Sequence, residues 1–320
     1  MISPQHHRAF GVTVAWTLGL LLLGSIVHAT ESSLACPDWP TCFGTLMPEM
    51  EGGVFWEHLH RLVAGGLVLI FVAATYLTYG LEANRPWVRN SAFAGIALLV
   101  AQSVLGGVTV LMRLPDIVST THLALAFAFL ALAVVLYTVT VPEWGERPSG
   151  SGTALRRMRP LAAAAALLTF AQSVLGAAVR HMDAGLACPD VPRCLGQVVP
   201  PLVTGEVAVH FSHRVVAILL ALAVMTLAVH AMRALGPSVA RRLAMAAAGV
   251  VLVQVALGVL SVTTALAVPA VSLHTLGAAL LLAILVALTT LTYEYEAGAR
   301  VPATANRAAL AVQPPAEDER

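Results

Sequence analysis

The sequence predicts an all-α integral membrane protein, with eight transmembrane helices arranged as two pseudo-symmetric four-helix bundles. Three observations lead there. Of 320 residues, 58% are hydrophobic and 11% charged, against roughly 45–50% and about 25% in soluble domains. Eight apolar stretches reach the length of about 20 residues that a helix needs to cross a bilayer. The chain also repeats itself at an offset of 152. These features exclude a cytosolic globule and a disordered regulator. The 18 basic residues, all arginine, are balanced by 17 acids, so there is no basic patch and no nucleic-acid partner is expected. Alternating barrel strands are absent, and lipid offers no partner to an open strand edge, so the spans are read as helices.

The first span, near 9–29, follows Arg8 and ends in Val27-His28-Ala29, which resembles a signal-peptide cleavage site. It is long enough to cross, and the repeat gives it a partner helix, so it is read as retained. A large loop (30–56) precedes the second span, near 57–80. The third (91–112) follows Arg85-Pro86 and the fourth (119–141) follows Pro115-Asp116. The stretch 142–159, with Pro142, Pro148 and Gly150-Ser151-Gly152, reads as the connection between halves. The fifth span (160–181) starts at Pro160, and a second large loop (182–207) follows it. The sixth (208–232), seventh (243–264) and eighth (271–293) spans complete the set. The domains expected are an N-terminal half (1–146), a cytoplasmic linker (147–159), a C-terminal half (160–295) and a polar, Pro-rich tail (296–320) expected to be disordered. With the N-terminus inside, 13 of the 18 arginines fall in inner segments. The positive-inside rule then puts both termini in the cytoplasm of a bacterial-type cell, in its inner membrane, with both large loops outside.

The repeat carries the chemistry. Ala35-Cys-Pro-Asp-Trp-Pro-Thr-Cys-Phe-Gly44 returns as Ala187-Cys-Pro-Asp-Val-Pro-Arg-Cys-Leu-Gly196, and His60-Arg61 returns as His213-Arg214. Gln102 returns as Gln254, and His122 as His274. His60 and His122 lie about one turn into helices that both run from outside to inside, so their imidazoles share a depth; His213 and His274 repeat that geometry. Two facing imidazoles at one level across a bundle suit axial ligation of haem iron from both sides. The plainer alternative, interfacial or capping histidines, has to arise twice over at matched depth and helix parity. Zinc is a weaker rival, because a closed site wants four ligands. His6 and His7 read as a solvated tail, and His28, His181 and His230 as structural; His58 and His210 stay open. Arg61 and Arg214, at the helix mouths, are candidates to pair haem propionates or to snorkel to headgroups.

The repeat also breaks. Glu57 and His60 are spaced i, i+3 and share a helix face, whereas His210 stands where Glu57 would recur. One pocket thus has an acid and the other does not. An acid near the membrane marks function by default, although a helix N-terminus favours Glu without any chemistry. Cys36/Cys42 and Cys188/Cys194 lie in outer loops, where disulfides persist. Each pair is read as a structural bridge, with a redox-active dithiol, in the first loop above all, as the sharper alternative. Trp39 either covers a bound ring or anchors at the interface. Gln102, Gln172 and Gln254 read as interhelical glue beside small residues.

Cys36-Pro-Asp-Trp-Pro-x-Cys42 followed by Glu57-x-x-His60-Arg61, with its weaker second copy, resembles the haem A synthase family over nearly the whole chain. The resemblance implies that His213 and His274 hold haem b as an electron-transfer cofactor and that His60 and His122 hold haem O, the substrate. Successive oxygenation of a ring methyl to an alcohol and then a hydrate, losing water, would give the formyl group of haem A for haem-copper terminal oxidases. Glu57 matches the family's catalytic carboxylate, and the Cys pairs match its loop disulfides. An unidentified electron donor and the synthase that supplies haem O are the partners implied, besides the lipid bilayer. Where the family often has Gly-Ser-Gly, this chain reads Glu31-Ser32-Ser33. The competing readings are a di-haem b electron-transfer cytochrome, which leaves Glu57 unexplained, and a haem carrier, which predicts one weak site and no dependence on oxygen; neither does chemistry on the haem.

Overall fold

The computed structural model describes residues 5–141, 152–202 and 204–299. The helices are α1 (Gln5–Ala29), α2 (Gly52–Leu81), α3 (Pro86–Leu111), α4 (Asp116–Thr140), α5 (Gly152–His181), α6 (Gly205–Ala234), α7 (Val239–Thr263) and α8 (Val268–Ala299), with a 3₁₀ turn at Ala184–Leu186. All eight are long and apolar enough to cross a membrane, and there is no β-strand among the described residues. The chain is a multi-pass, all-α membrane protein.

Helices run further than hydropathy suggests. Helix α2 begins at Gly52, α5 at Gly152, and α8 continues to Ala299. Hydrogen-bonded turns continue past the edge of the apolar layer, because water there can satisfy the terminal backbone groups that lipid cannot. Pro160 therefore sits inside α5 instead of starting it, and the last residues of the expected linker are helical. The rest of that linker, residues 147–151, and most of the tail, residues 300–320, lie outside the described residues. Starts are chemically marked where a donor is spare: Thr204 accepts from the Val207 N–H before α6, and Ser238 from the Arg241 N–H before α7.

Neighbouring helices pack in sequence within α1–α4, where α1 also meets α4, and within α5–α8, where α5 also meets α8. Contacts of α1 with α8, α4 with α5, and α4 with α8 join the two sets. The turns repeat as well. Arg113 and Leu114 (φ 59° and 60°) after α3 match Ala265 and Leu266 (φ 50° and 65°) after α7. The Leu114 and Leu266 N–H groups donate back to Thr109 and Ser261 carbonyls, each at 2.7 Å, so the strained residues close the helix ends.

Dense apolar packing lies at the membrane face away from the Cys loops. Phe10, Phe71, Ala92, Phe129 and Leu136 form one cluster, and Met158, Ala162, Leu227, Ala244 and Leu285 another. Leu21, Phe127, Leu130 and Leu282 fill the seam between them. The candidate ligand histidines sit nearer the Cys loops, beyond these clusters. His6 corrects the sequence reading. It is buried, not solvated, and Nε2 donates to Glu82 at 2.8 Å. Glu82 also pairs with Arg85, which donates to the Val139 carbonyl at 2.8 Å. A carboxylate buried among apolar helices is tenable only with such donors.

Candidate functional site

The loops come first, because they fix what lies beneath them. Disulfides join Cys36 to Cys42 and Cys188 to Cys194, with Cα atoms 4.8 and 4.6 Å apart. After each bridge the chain turns through left-handed backbone at Phe43-Gly44 and Leu195-Gly196, a conformation costly for the non-glycine residue. An aspartate offsets that cost. Asp38 accepts from the Phe43 and Gly44 N–H groups (2.6 and 2.9 Å) and from the Thr41 hydroxyl. Asp190 accepts from Leu195 and Gly196 (2.7 and 2.8 Å). The Thr41 hydroxyl first, then the Gly44 amide, holds the Asp38 carboxyl below its ordinary value; for Asp190 the Gly196 amide dominates.

Arg61 and Arg214 are turned into these loops. Arg61 donates to the carbonyls of Asp38 (2.7 Å) and Thr41 (2.6 Å), Arg214 to those of Asp190 and Arg193 (both 2.8 Å) and of Cys188 (2.5 Å). The guanidinium fork, chosen from sequence for propionates, here pins a disulfide loop to the mouth of its helix. Arg61 adds an ion pair with Glu57 at 2.6 Å, which leaves little of its five-donor capacity uncommitted.

Glu57 is the sixth residue of α2 and His210 the sixth of α6; His60 and His213 are the ninth of each. The exchange of acid for imidazole is thus in register. Buried Glu57 accepts from the Cys36 N–H at 2.8 Å as well as from Arg61, so its two oxygens are tied to the loop and to its own helix. His210 makes a different bond, donating from Nδ1 to the Ala184 carbonyl at 2.8 Å. His58, adjacent to Glu57, donates from Nε2 to the Leu46 carbonyl at 3.0 Å and lies beside the first disulfide.

The four candidate ligands rest on glycines. A methyl built on Gly24 would fall 3.0 Å from Cε1 of His60, and one on Gly106 would fall 3.0 Å from Cε1 of His122. The values are 2.9 Å for Gly176 and His213 and 3.2 Å for Gly258 and His274. Each imidazole lies so close against the preceding helix that a side chain there would displace it. His213 and His274 have ring centroids 6.4 Å apart at 70°. Two imidazoles bound through nitrogen to one metal, at about 2 Å each, place their centroids about 6 Å apart, so this pair fits a bis-histidine haem iron. Among the described residues, the buried Nδ1 of His60 has no hydrogen-bond partner. Gln172 departs from plain glue: its amide nitrogen donates to the His213 carbonyl at 2.9 Å and lies 3.0 Å from Nδ1. The Gln102 amide lies 3.4 Å from His122 Nε2.

Trp39 of the first Cys loop lies against α3. A methyl on Gly107 would sit 2.5 Å from the indole, and Gly107 follows the glycine beneath His122. In the repeat, Val191 replaces Trp39 and Val259 replaces Gly107, so the indole and the space it needs occur together or not at all. His28 and His181 take structural places, with rings 5.0 Å apart. Arg180 donates to the His28 carbonyl at 2.9 Å, and Thr120 meets His181 at 2.9 Å, which ties the halves at this face.

Comparison with known proteins agrees with this arrangement. The family described as cytochrome oxidase assembly protein (COX15-CtaA) matches residues 8–54 and 49–286. The haem A synthase of Shewanella oneidensis is 28% identical across 86% of this chain and 93% of its own. That of Symbiobacterium thermophilum is 31% identical across 65% of this chain and 69% of its own. That of Lysinibacillus sphaericus is 30% identical across 60% and 65%. The match reaches from the first helix into the eighth, across both Cys loops and all four histidines, and the chain belongs to the cytochrome oxidase assembly protein family, among the haem A synthases.

Proposed function

We propose that this chain is a haem A synthase, a membrane oxidoreductase that oxidises the ring methyl of haem O to the formyl group of haem A. The observation that carries the reading is the in-register exchange of Glu57 for His210 beside otherwise equivalent histidines. Two successive oxygenations by dioxygen, each taking two electrons and two protons and releasing one water, followed by loss of water from the hydrate, give the formyl group, so the substrate pocket needs a proton-handling group and an electron-transfer site does not. His60 and His122 hold the substrate haem O, and Glu57 is the catalytic residue. His213 and His274 hold haem b, which when bound supplies a one-electron carrier.

The chain's own groups divide the remaining work. The Cys36 N–H and Arg61 hold the Glu57 carboxylate at the mouth of the helix, so a proton taken there has a short way to the loop surface. The glycines fix imidazole depth, and the indole of Trp39 shields the first pocket from water. The disulfides act as structural caps. Two pseudo-symmetric halves, residues 1–146 and 160–295, are supported by the matched turns and equal helix registers. Arginine placement supports an orientation with both termini cytoplasmic and the Cys loops outside. The synthase supplying haem O and an electron donor are the partners this reading requires, and the product serves haem-copper oxidases.

The deciding experiment is extraction and chromatography of haems from protein made in a host that supplies haem O, with Glu57→Ala alongside. Haem b plus haem A in the wild type is expected, with haem O or its hydroxylated form accumulating in the variant. Haem b alone in both, at two per chain, would leave a di-haem electron carrier.

A further inference from the structure

The four histidine seats are not equal. One turn before its glycine, on the same helix face, α3 carries Gln102, α5 carries Gln172 and α7 carries Gln254. Helix α1 carries Leu20 at that place. Gln172 bonds the backbone of its histidine and touches the ring; Gln102 approaches its ring. Gln254 lies against Gly277, one turn beyond His274 in α8. Leu20 instead packs into the apolar cluster around Phe10 and Phe71. An amide can donate or accept and so hold an imidazole in one plane and tautomer; an isobutyl group only fills space. His60 therefore rests on its glycine with no amide behind it.

We propose that Leu20 makes the N-terminal pocket the exchanging one, and that Gln172 is a positioning residue that makes the C-terminal pocket the retaining one. The proposal rests on the four histidines being haem ligands, as argued above. A haem that enters as substrate and leaves as product needs a looser axial hold than a resident cofactor. The seat beneath His60 supplies that looseness without altering the ligand itself.

The test is transfer of haem from the purified full chain, made in a host that supplies haem O, to excess apomyoglobin. Two phases are expected, the faster lost in His60→Ala and the slower in His213→Ala. Leu20→Gln slows the fast phase about fivefold, and Gln172→Leu speeds the slow phase about fivefold, the change one net hydrogen bond sustains. Gln172→Leu also shifts the electron paramagnetic resonance of the C-terminal low-spin ferric haem, which reports the imidazole plane and which a merely structural role would leave alone. Where His60→Ala removes a phase but Leu20→Gln leaves its rate alone, the proposal is overturned. A slow phase and resonance indifferent to Gln172→Leu overturn it equally, so either variant decides if the other does not accumulate. Phases untouched by both His→Ala changes would instead sink the ligand assignment itself.

Discussion

At the scale of single residues, the histidines, cysteines and Glu57 were legible because each is a rare type repeated, or conspicuously not repeated, at a fixed offset. The glycines that seat the imidazoles were not. Glycine is common in spanning helices, and a seat is defined by a ring arriving from another helix. The hold of Arg61 and Arg214 on the Cys loops was hidden for a related reason: most of their partners are backbone carbonyls, which carry no signature in sequence. The seats make a prediction. In Gly176→Ala, a methyl 2.9 Å from His213 Cε1 should push the ring aside, and the purified protein should lose most of its C-terminal low-spin haem in the visible spectrum. Gly249→Ala, where nothing lies within 4 Å, should keep its haem and melt no lower, since alanine favours the helix by about 1 kcal/mol. Equal haem content in both would mean that the close approach has no bearing on ligation.

At the scale of helices, hydropathy found all eight spans and misplaced their ends, because apolar runs report the lipid layer while helix ends report hydrogen bonds. The same blindness hid the knot at the far face, where His6 of α1 meets Glu82 76 positions later. Burial pushes the Glu82 carboxyl up, but hydrogen bonds from Arg85 and then His6 outweigh it and hold the group below its ordinary value. A carboxyl depressed in the folded state stabilises above its unfolded value, about 4.3, and that contribution fades as pH falls through the folded value. Glu82→Gln should therefore lower stability by on the order of 2 kcal/mol at neutral pH, with the gap to wild type closing below about pH 4. Melting curves in detergent across that range check it. A gap constant with pH would assign the loss to packing.

At the scale of the molecule, the duplication was the most legible feature, since a Cys-Pro-Asp-x-Pro-x-Cys motif seldom arises twice by chance in one chain. What the repeat could not disclose is where the copies have come to depend on their own surroundings. The indole of Trp39 belongs to the first Cys loop and bare Gly107 to α3, and Val191 and Val259 answer them in the second loop and α7. The Cys loops are consequently not portable modules. Grafting residues 36–42 in place of 188–194 should drive an indole into Val259 and give a protein that accumulates poorly or loses haem from that half, as immunoblots and haemochrome spectra would record. Adding Val259→Gly should restore it. Whatever its ancestral symmetry, each half now accepts only its own lid.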